Sequence, residues 1–72
     1  MQTLVSVSLT LYSNNKYYRW FGYKGELSGV LVYLASHGIS GQLIKEESLF
    51  VHKGVFKHGE VSGTWEAMGL PV

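Results

Sequence analysis

Val5-Ser6-Val7-Ser8-Leu9-Thr10-Leu11-Tyr12-Ser13-Asn14-Asn15-Lys16-Tyr17-Tyr18-Arg19-Trp20-Phe21-Gly22-Tyr23 is the stretch on which the fold turns. Its first half belongs to an alternating run over residues 3–12. Val5, Val7, Leu9 and Leu11 fall on one side, and Ser6, Ser8, Thr10 and Tyr12 on the other. A period of two over that length is the pattern of a strand with one face in a core. Asn14-Asn15 follows, and asparagine tolerates the positive φ that a tight hairpin turn needs. The second half is aromatic-rich, which suits a pleated surface.

The turn decides the facing. A two-residue turn at Asn14-Asn15 pairs Tyr12 with Tyr17, Leu11 with Tyr18 and Leu9 with Trp20. Tyr18 and Trp20 then join the core, while Tyr17, Arg19, Phe21 and Tyr23 face away from it. A three-residue loop would instead set Arg19 opposite Leu9, because a slip of one residue exchanges every side chain between faces. The two-residue register is the expectation adopted.

Residues 28–37 read as a helix. Leu27, Val30, Leu31 and Leu34 share a face, Ser28 is a candidate cap, and Gly38 supplies a left-handed stop after which Ile39 folds back toward Leu34. Val30-Leu31-Val32-Tyr33-Leu34 is also compatible with a buried strand; the Gly38 stop favours the helix.

Three more strands are expected over 42–68, with turns at Glu46-Glu47 and His58-Gly59. The second turn pairs Lys57 with Glu60, Phe56 with Val61, His52 with Trp65 and Phe50 with Ala67; the first pairs Leu43 with Phe50. One face thereby collects Leu43, Phe50, Phe56, Val61, Trp65 and Ala67, a core. The other collects Ile44, Leu49, Val51, Lys53, Val55 and Thr64. The expected fold class is α+β: a single antiparallel β-sheet of about five strands, in the order ββαβββ, with one helix packed on one face and residues 1–72 forming one domain.

Composition narrows the function. The chain has 72 residues, too few for two cores. Without cysteine, neither disulfides nor thiolate–metal bonds can brace it, so stability must come from apolar packing or a partner subunit. A formal charge of +1 lacks the basic excess of domains that grip nucleic acid electrostatically. There is no aspartate, and the five glutamates (Glu26, Glu46, Glu47, Glu60 and Glu66) leave little for hard-metal or paired-carboxylate chemistry. Neither a secretory-signal pattern nor an apolar run of about 20 residues is present, so a cytoplasmic protein with no membrane contact is expected.

Three histidines raise the question of metal or catalysis. His52 and His58 stand six residues apart, about 20 Å along an extended strand, too far to share an ion unless the chain folds back. His37 falls at the expected helix C-terminus, where a cation is favoured in any case. His52, opposite Trp65, reads as a core histidine. Ser48 and Ser62 lack the local context of an activated nucleophile. No catalytic residue, metal site or cofactor is expected.

One helix covers one face of a five-stranded sheet. The other face is expected to carry Tyr12, Tyr17, Phe21, Tyr23, Ile44, Leu49, Val51 and Val55, with Arg19 and Lys53 among them. Exposed apolar patches of that size mark interfaces, and Tyr and Arg are enriched where binding energy concentrates. The opposing expectation is that the strands curl into a small barrel, or that the hairpin takes the other register and some of these residues are core.

Two resemblances bear on the partner. Arg19-Trp20-Phe21, Lys24-Gly25 and Phe50-Val51-His52 are similar to fragments of the two RNA-binding motifs of cold-shock domains, which grip phosphates and stack bases. The layout departs from that family: the two motifs lie about ten residues further apart, a whole strand precedes the first, and too little chain follows the second. In overall plan, a hairpin, one helix and further strands in so short a chain, the protein resembles small phage-encoded anti-CRISPR inhibitors. That resemblance implies a non-enzymatic protein that blocks a bacterial defence complex in the host cytoplasm. It carries no motif and therefore no residues.

The expectation is thus a non-enzymatic binding protein acting by surface occlusion, with Tyr17, Arg19, Phe21, Tyr23, Val51 and Lys53 at the contact. The partner is another protein or a second copy of the chain. A single-stranded nucleic-acid binder using the same strand is the alternative, and a structural homodimer the third.

Overall fold

The computed structural model describes residues 4–72. Along the chain lie β1 (Val5–Ser13), β2 (Lys16–Gly25), a 3-10 turn (Leu27–Gly29), α1 (Val30–Ser36), β3 (Ser40–Ser48), β4 (Val51–His58) and β5 (Val61–Pro71). The strands form one antiparallel sheet in the order β2-β1-β5-β4-β3. Thr3, where the first strand was expected to begin, lies outside the described residues. The sheet is open, with β2 and β3 as edges, so the barrel expectation does not hold.

The hairpin turn forms where Asn14-Asn15 invites it, with φ of 54° and 60°, and Tyr12 pairs with Tyr17 as expected. One residue later the register shifts: Leu11 pairs with Arg19, Thr10 with Trp20 and Leu9 with Phe21. Tyr18 is the extra residue of a β-bulge, and it reverses the parity of the rest of β2. Trp20, expected in the core, is therefore 54% exposed, and Phe21, expected outside, is only 9% exposed. The bulge is held by what Tyr18 reaches on the inner face. Its ring stacks on Phe56 at 5.5 Å, and its hydroxyl is hydrogen-bonded to His58 Nδ1 at 3.1 Å.

The helix begins later than expected. Ser28 does not cap it; its hydroxyl donates to the Glu26 carboxylate at 3.3 Å, and a 3-10 turn precedes the α-helical residues. The stop forms as read. Gly38 has φ of 75°, its N–H donates to the Ala35 carbonyl and that of Ile39 to Leu34, both at 3.0 Å, and Ile39 buries itself beside Leu34. Leu27, Val30 and Leu34 meet Val5, Val7, Leu9, Leu11, Phe21, Ile39, Phe56, Trp65 and Ala67 in the core.

Both C-terminal turns sit later than expected. Gly59 and Glu60 make one, with Gly59 at φ 65°; Phe56 then pairs with Gly63 and His52 with Ala67. Each pair moves by an even number of residues, so Phe56, Trp65 and Ala67 keep the expected face. The other turn is Leu49-Phe50, not Glu46-Glu47. β3 runs on past the glutamates with register shifts after Leu43 and after Glu46. Leu43 and Phe50, expected in the core, are both exposed.

Candidate binding face

The helix covers one side of the sheet and leaves the other open. The open side is built from alternate residues: Thr10 and Tyr12 of β1, Tyr17 and Trp20 of β2, Thr64, Glu66, Met68 and Leu70 of β5, and Val51, Lys53 and Val55 of β4. Tyr12, Tyr17, Trp20, Val55, Met68 and Leu70 are all exposed, and Tyr17 at 66% is the most open aromatic. Ile44, at the first β3 irregularity, adds to this side beside Tyr12 and Val55.

Trp20 is fixed in place. Its Nε1 donates to Ser8 Oγ at 2.8 Å, and its ring lies over Gly22, where an added Cβ would come within 3.0 Å of the indole. The indole forms one wall of a groove of about 450 Å³, with Met68 and Leu70 opposite, Ser6 and Ser8 between them, and Gly22 and Lys24 along the β2 side. An amphipathic ring held in one orientation loses little entropy on binding.

Charge on this side is locally balanced. Lys45 and Lys53 are registered directly opposite each other, a like-charge pair that would repel. Glu47 sits between them, 3.2 Å from Lys53 Nζ and 3.7 Å from Lys45 Nζ, and Glu66 approaches Lys53 at 3.8 Å. The hydrogen bond and charge of Lys53 hold the Glu47 carboxyl below its ordinary range, and Glu47 in turn raises Lys53.

Of the expected contact residues, Tyr17, Val51 and Lys53 lie on the open side, Tyr17 at the hairpin end of edge strand β2 and the other two three strands away on β4. The facing expected of Phe21 and Tyr23 is corrected, because the Tyr18 bulge turns both toward the helix. Phe21 packs edge-on to Tyr33 at 5.9 Å, and Tyr23 stacks on Tyr33 at 4.4 Å and donates to the Glu26 carbonyl at 3.0 Å. Burial, and secondarily the Tyr33 hydroxyl, raises the Tyr23 phenol above its ordinary pKa. Arg19 is exposed but lies on the helix side of the edge, its guanidinium 5.3 Å from the Phe21 ring centroid. Trp20, Met68 and Leu70 were missed. For the latter two a signal existed, since Thr64, Glu66, Met68 and Leu70 alternate with Trp65, Ala67 and Gly69.

The histidines sit apart: His37 between Phe21 and Tyr33, His58 against Tyr18, and His52 buried on the inner face. Among the described residues no three His, Cys, Asp or Glu side chains converge as metal ligands, and no helix is long and apolar enough to cross a membrane. A scan against protein-family models and searches of curated proteins and of solved structures each give no match to this chain.

Proposed function

We propose that this protein is a non-enzymatic binding module that acts by occluding a surface of another protein, using the open side of its sheet. The observation that carries the reading is the fixed, exposed indole of Trp20 amid Tyr12, Tyr17, Met68 and Leu70. Rigid aromatics beside apolar residues are what protein interfaces concentrate at their centres. Pairing of Lys53 with Glu47 and Glu66 favours a protein partner over a polyanion, because those lysine charges are already compensated. Tyr17, Val51 and Lys53 remain in the proposed contact, and Trp20, Met68 and Leu70 join it. Arg19 borders it, while Phe21 and Tyr23 serve the core. Inhibition of a bacterial defence complex, as in the anti-CRISPR proteins this chain resembles in plan, is the specific form of the proposal.

The test is a pair of charge substitutions. Trp20→Glu should leave the melting curve nearly unchanged, because a solvent-facing side chain has little packing to lose. It should also abolish protection of a phage or plasmid from the host's defence system, since a charge would be desolvated without a partner. Phe21→Glu should unfold the protein. Full protection by a folded Trp20→Glu variant would remove the open side from the function. Sub-micromolar, steeply salt-dependent binding to a single-stranded oligonucleotide would replace a protein partner with nucleic acid.

A further inference from the structure

The helix crosses the inner face on a diagonal. The 3-10 turn brings Leu27 against Gly69 of β5, and the helix brings Leu31 and Leu34 over Gly41 of edge strand β3. The far ends of β3 and β4 are left uncovered, and a cavity of about 440 Å³ opens there between the 3-10 turn and the β3–β4 hairpin.

Three observations meet in this cavity. Glu26 and Glu46 line it, one from each side, and the Ser28 hydroxyl donates to the Glu26 carboxylate. His52, registered opposite Glu46, also lines it. His52 is only 9% exposed and lines the cavity, and its ring makes no hydrogen bond among the described residues; no unpaired side-chain nitrogen there is sealed off, so its ring nitrogens keep contact with solvent. The lip is the Leu49-Phe50 turn. Tight turns are ordinarily made by Gly, Asn or Asp, yet here Leu49 is 85% exposed, and the turn is anchored by Gly69 N–H donating to the Phe50 carbonyl at 2.8 Å.

We propose that this corner is a binding site for an organic cation, an alkylguanidinium or alkylammonium group, held between Glu26, Glu46 and His52 with its alkyl stem against Leu27, Leu49 and Phe50. Carboxylates on two sides match the several N–H donors of such a group, and an imidazole nitrogen that carries no hydrogen can accept one more. The carboxylates and imidazole do not converge as metal ligands, so the site suits an extended organic cation. The site lies on the opposite side of the sheet from the proposed protein contact and stands independently of it.

The test is an amide NMR titration of the whole protein with butylguanidinium, its neutral isostere butylurea, and a capped Gly-Arg-Gly peptide. Butylguanidinium should give saturable shifts confined to Glu26, Leu27, Glu46, Leu49, Phe50 and His52. The Glu26→Gln, Glu46→Gln double variant should melt like the parent and bind about tenfold or more weakly, the loss expected for hydrogen bonds to charged groups. His52→Phe keeps the bulk and should weaken binding without moving the site. Tighter binding of the tripeptide would identify an arginine side chain of a polypeptide as the natural occupant, and tighter binding of butylguanidinium a free ligand. Equal binding of butylurea, an unchanged affinity in the double variant, or no saturable shift at this corner at high millimolar concentration would each overturn the proposal.

Discussion

Trp20 Nε1 donates to Ser8 Oγ across the β1–β2 ladder at 2.8 Å, which holds an indole on the surface, while Trp65 Nε1 donates to the Val55 carbonyl at 2.9 Å from inside the core. The two tryptophans therefore report on opposite sides of one sheet. Native emission should resolve into a red component quenched by iodide and a blue component that is not. Trp20→Phe should remove only the quenchable part. Trp20→Ala should cost less than about 1 kcal/mol of stability, whereas Trp65→Ala should cost about 3–5 kcal/mol. Equal quenching of both would put the two indoles in one environment and remove the Tyr18 bulge from the account.

Gly54 lies under Trp65. A Cβ there would come within 2.5 Å of the indole and would clash with the Gln42 carbonyl of the neighbouring strand. Neither obstacle can retreat, one being backbone and the other the largest side chain of the core. Gly54→Ala should destabilise the protein by about 2–3 kcal/mol through overpacking, read as a lowered denaturant midpoint. An Ala at Gly29, where an added Cβ meets nothing, should melt like the parent. Matching midpoints for the two variants would contradict this packing.

Glu47 between Lys45 and Lys53 gives a pH signature. Its carboxyl is held below the ordinary range, so its contribution is present above the pKa of the unfolded chain and fades as pH falls through the lower folded value. Lys53 is raised, so its share is present below the ordinary lysine range and fades as pH rises through the higher folded value. The pair is intact between those limits. Both side chains keep about 40% of their surface open to water, so solvent screens the pair and the melting curve should barely respond to Glu47→Gln. The clear readout is NMR titration of the Glu47 carboxylate carbon, whose midpoint should rise in Lys53→Met. A midpoint indifferent to that change would leave Glu47 unpaired in solution.

The sequence revealed the elements better than their facing. Strict alternation in β1 left one reading, and the Gly38–Ile39 stop marked the helix end because its geometry demands a left-handed residue followed by an apolar one. In β2 both parities carry aromatics, Tyr17, Arg19, Phe21 and Tyr23 against Tyr18 and Trp20, so alternation could not choose between faces. The choice was made by a distant contact of Tyr18 with Phe56 and His58. The Leu49-Phe50 turn was hidden for the opposite reason. It lacks turn chemistry, while Glu46-Glu47 has the polar look of a turn and lies within a strand. The candidate face was therefore legible as a surplus of apolar residues, but its fixed indole, Trp20, was not.

The strand order has a kinetic consequence. β1 and β5, the first and last strands along the chain, are neighbours at the middle of the sheet, with Val5 opposite Pro71 and Tyr12 opposite Thr64. The β1–β2 hairpin and the β3-β4-β5 meander can each close locally, but neither buries the apolar side of its own strands until the other docks along that one seam. Closing a seam between the most widely separated strands costs the largest loop entropy in the molecule before any contact repays it. Folding should therefore wait on this seam, with two half-sheets each presenting a bare, pairing-competent edge in the interval. At high concentration a hairpin from one molecule can zip onto the meander of another, so refolding yield should fall with protein concentration even where the native state is stable.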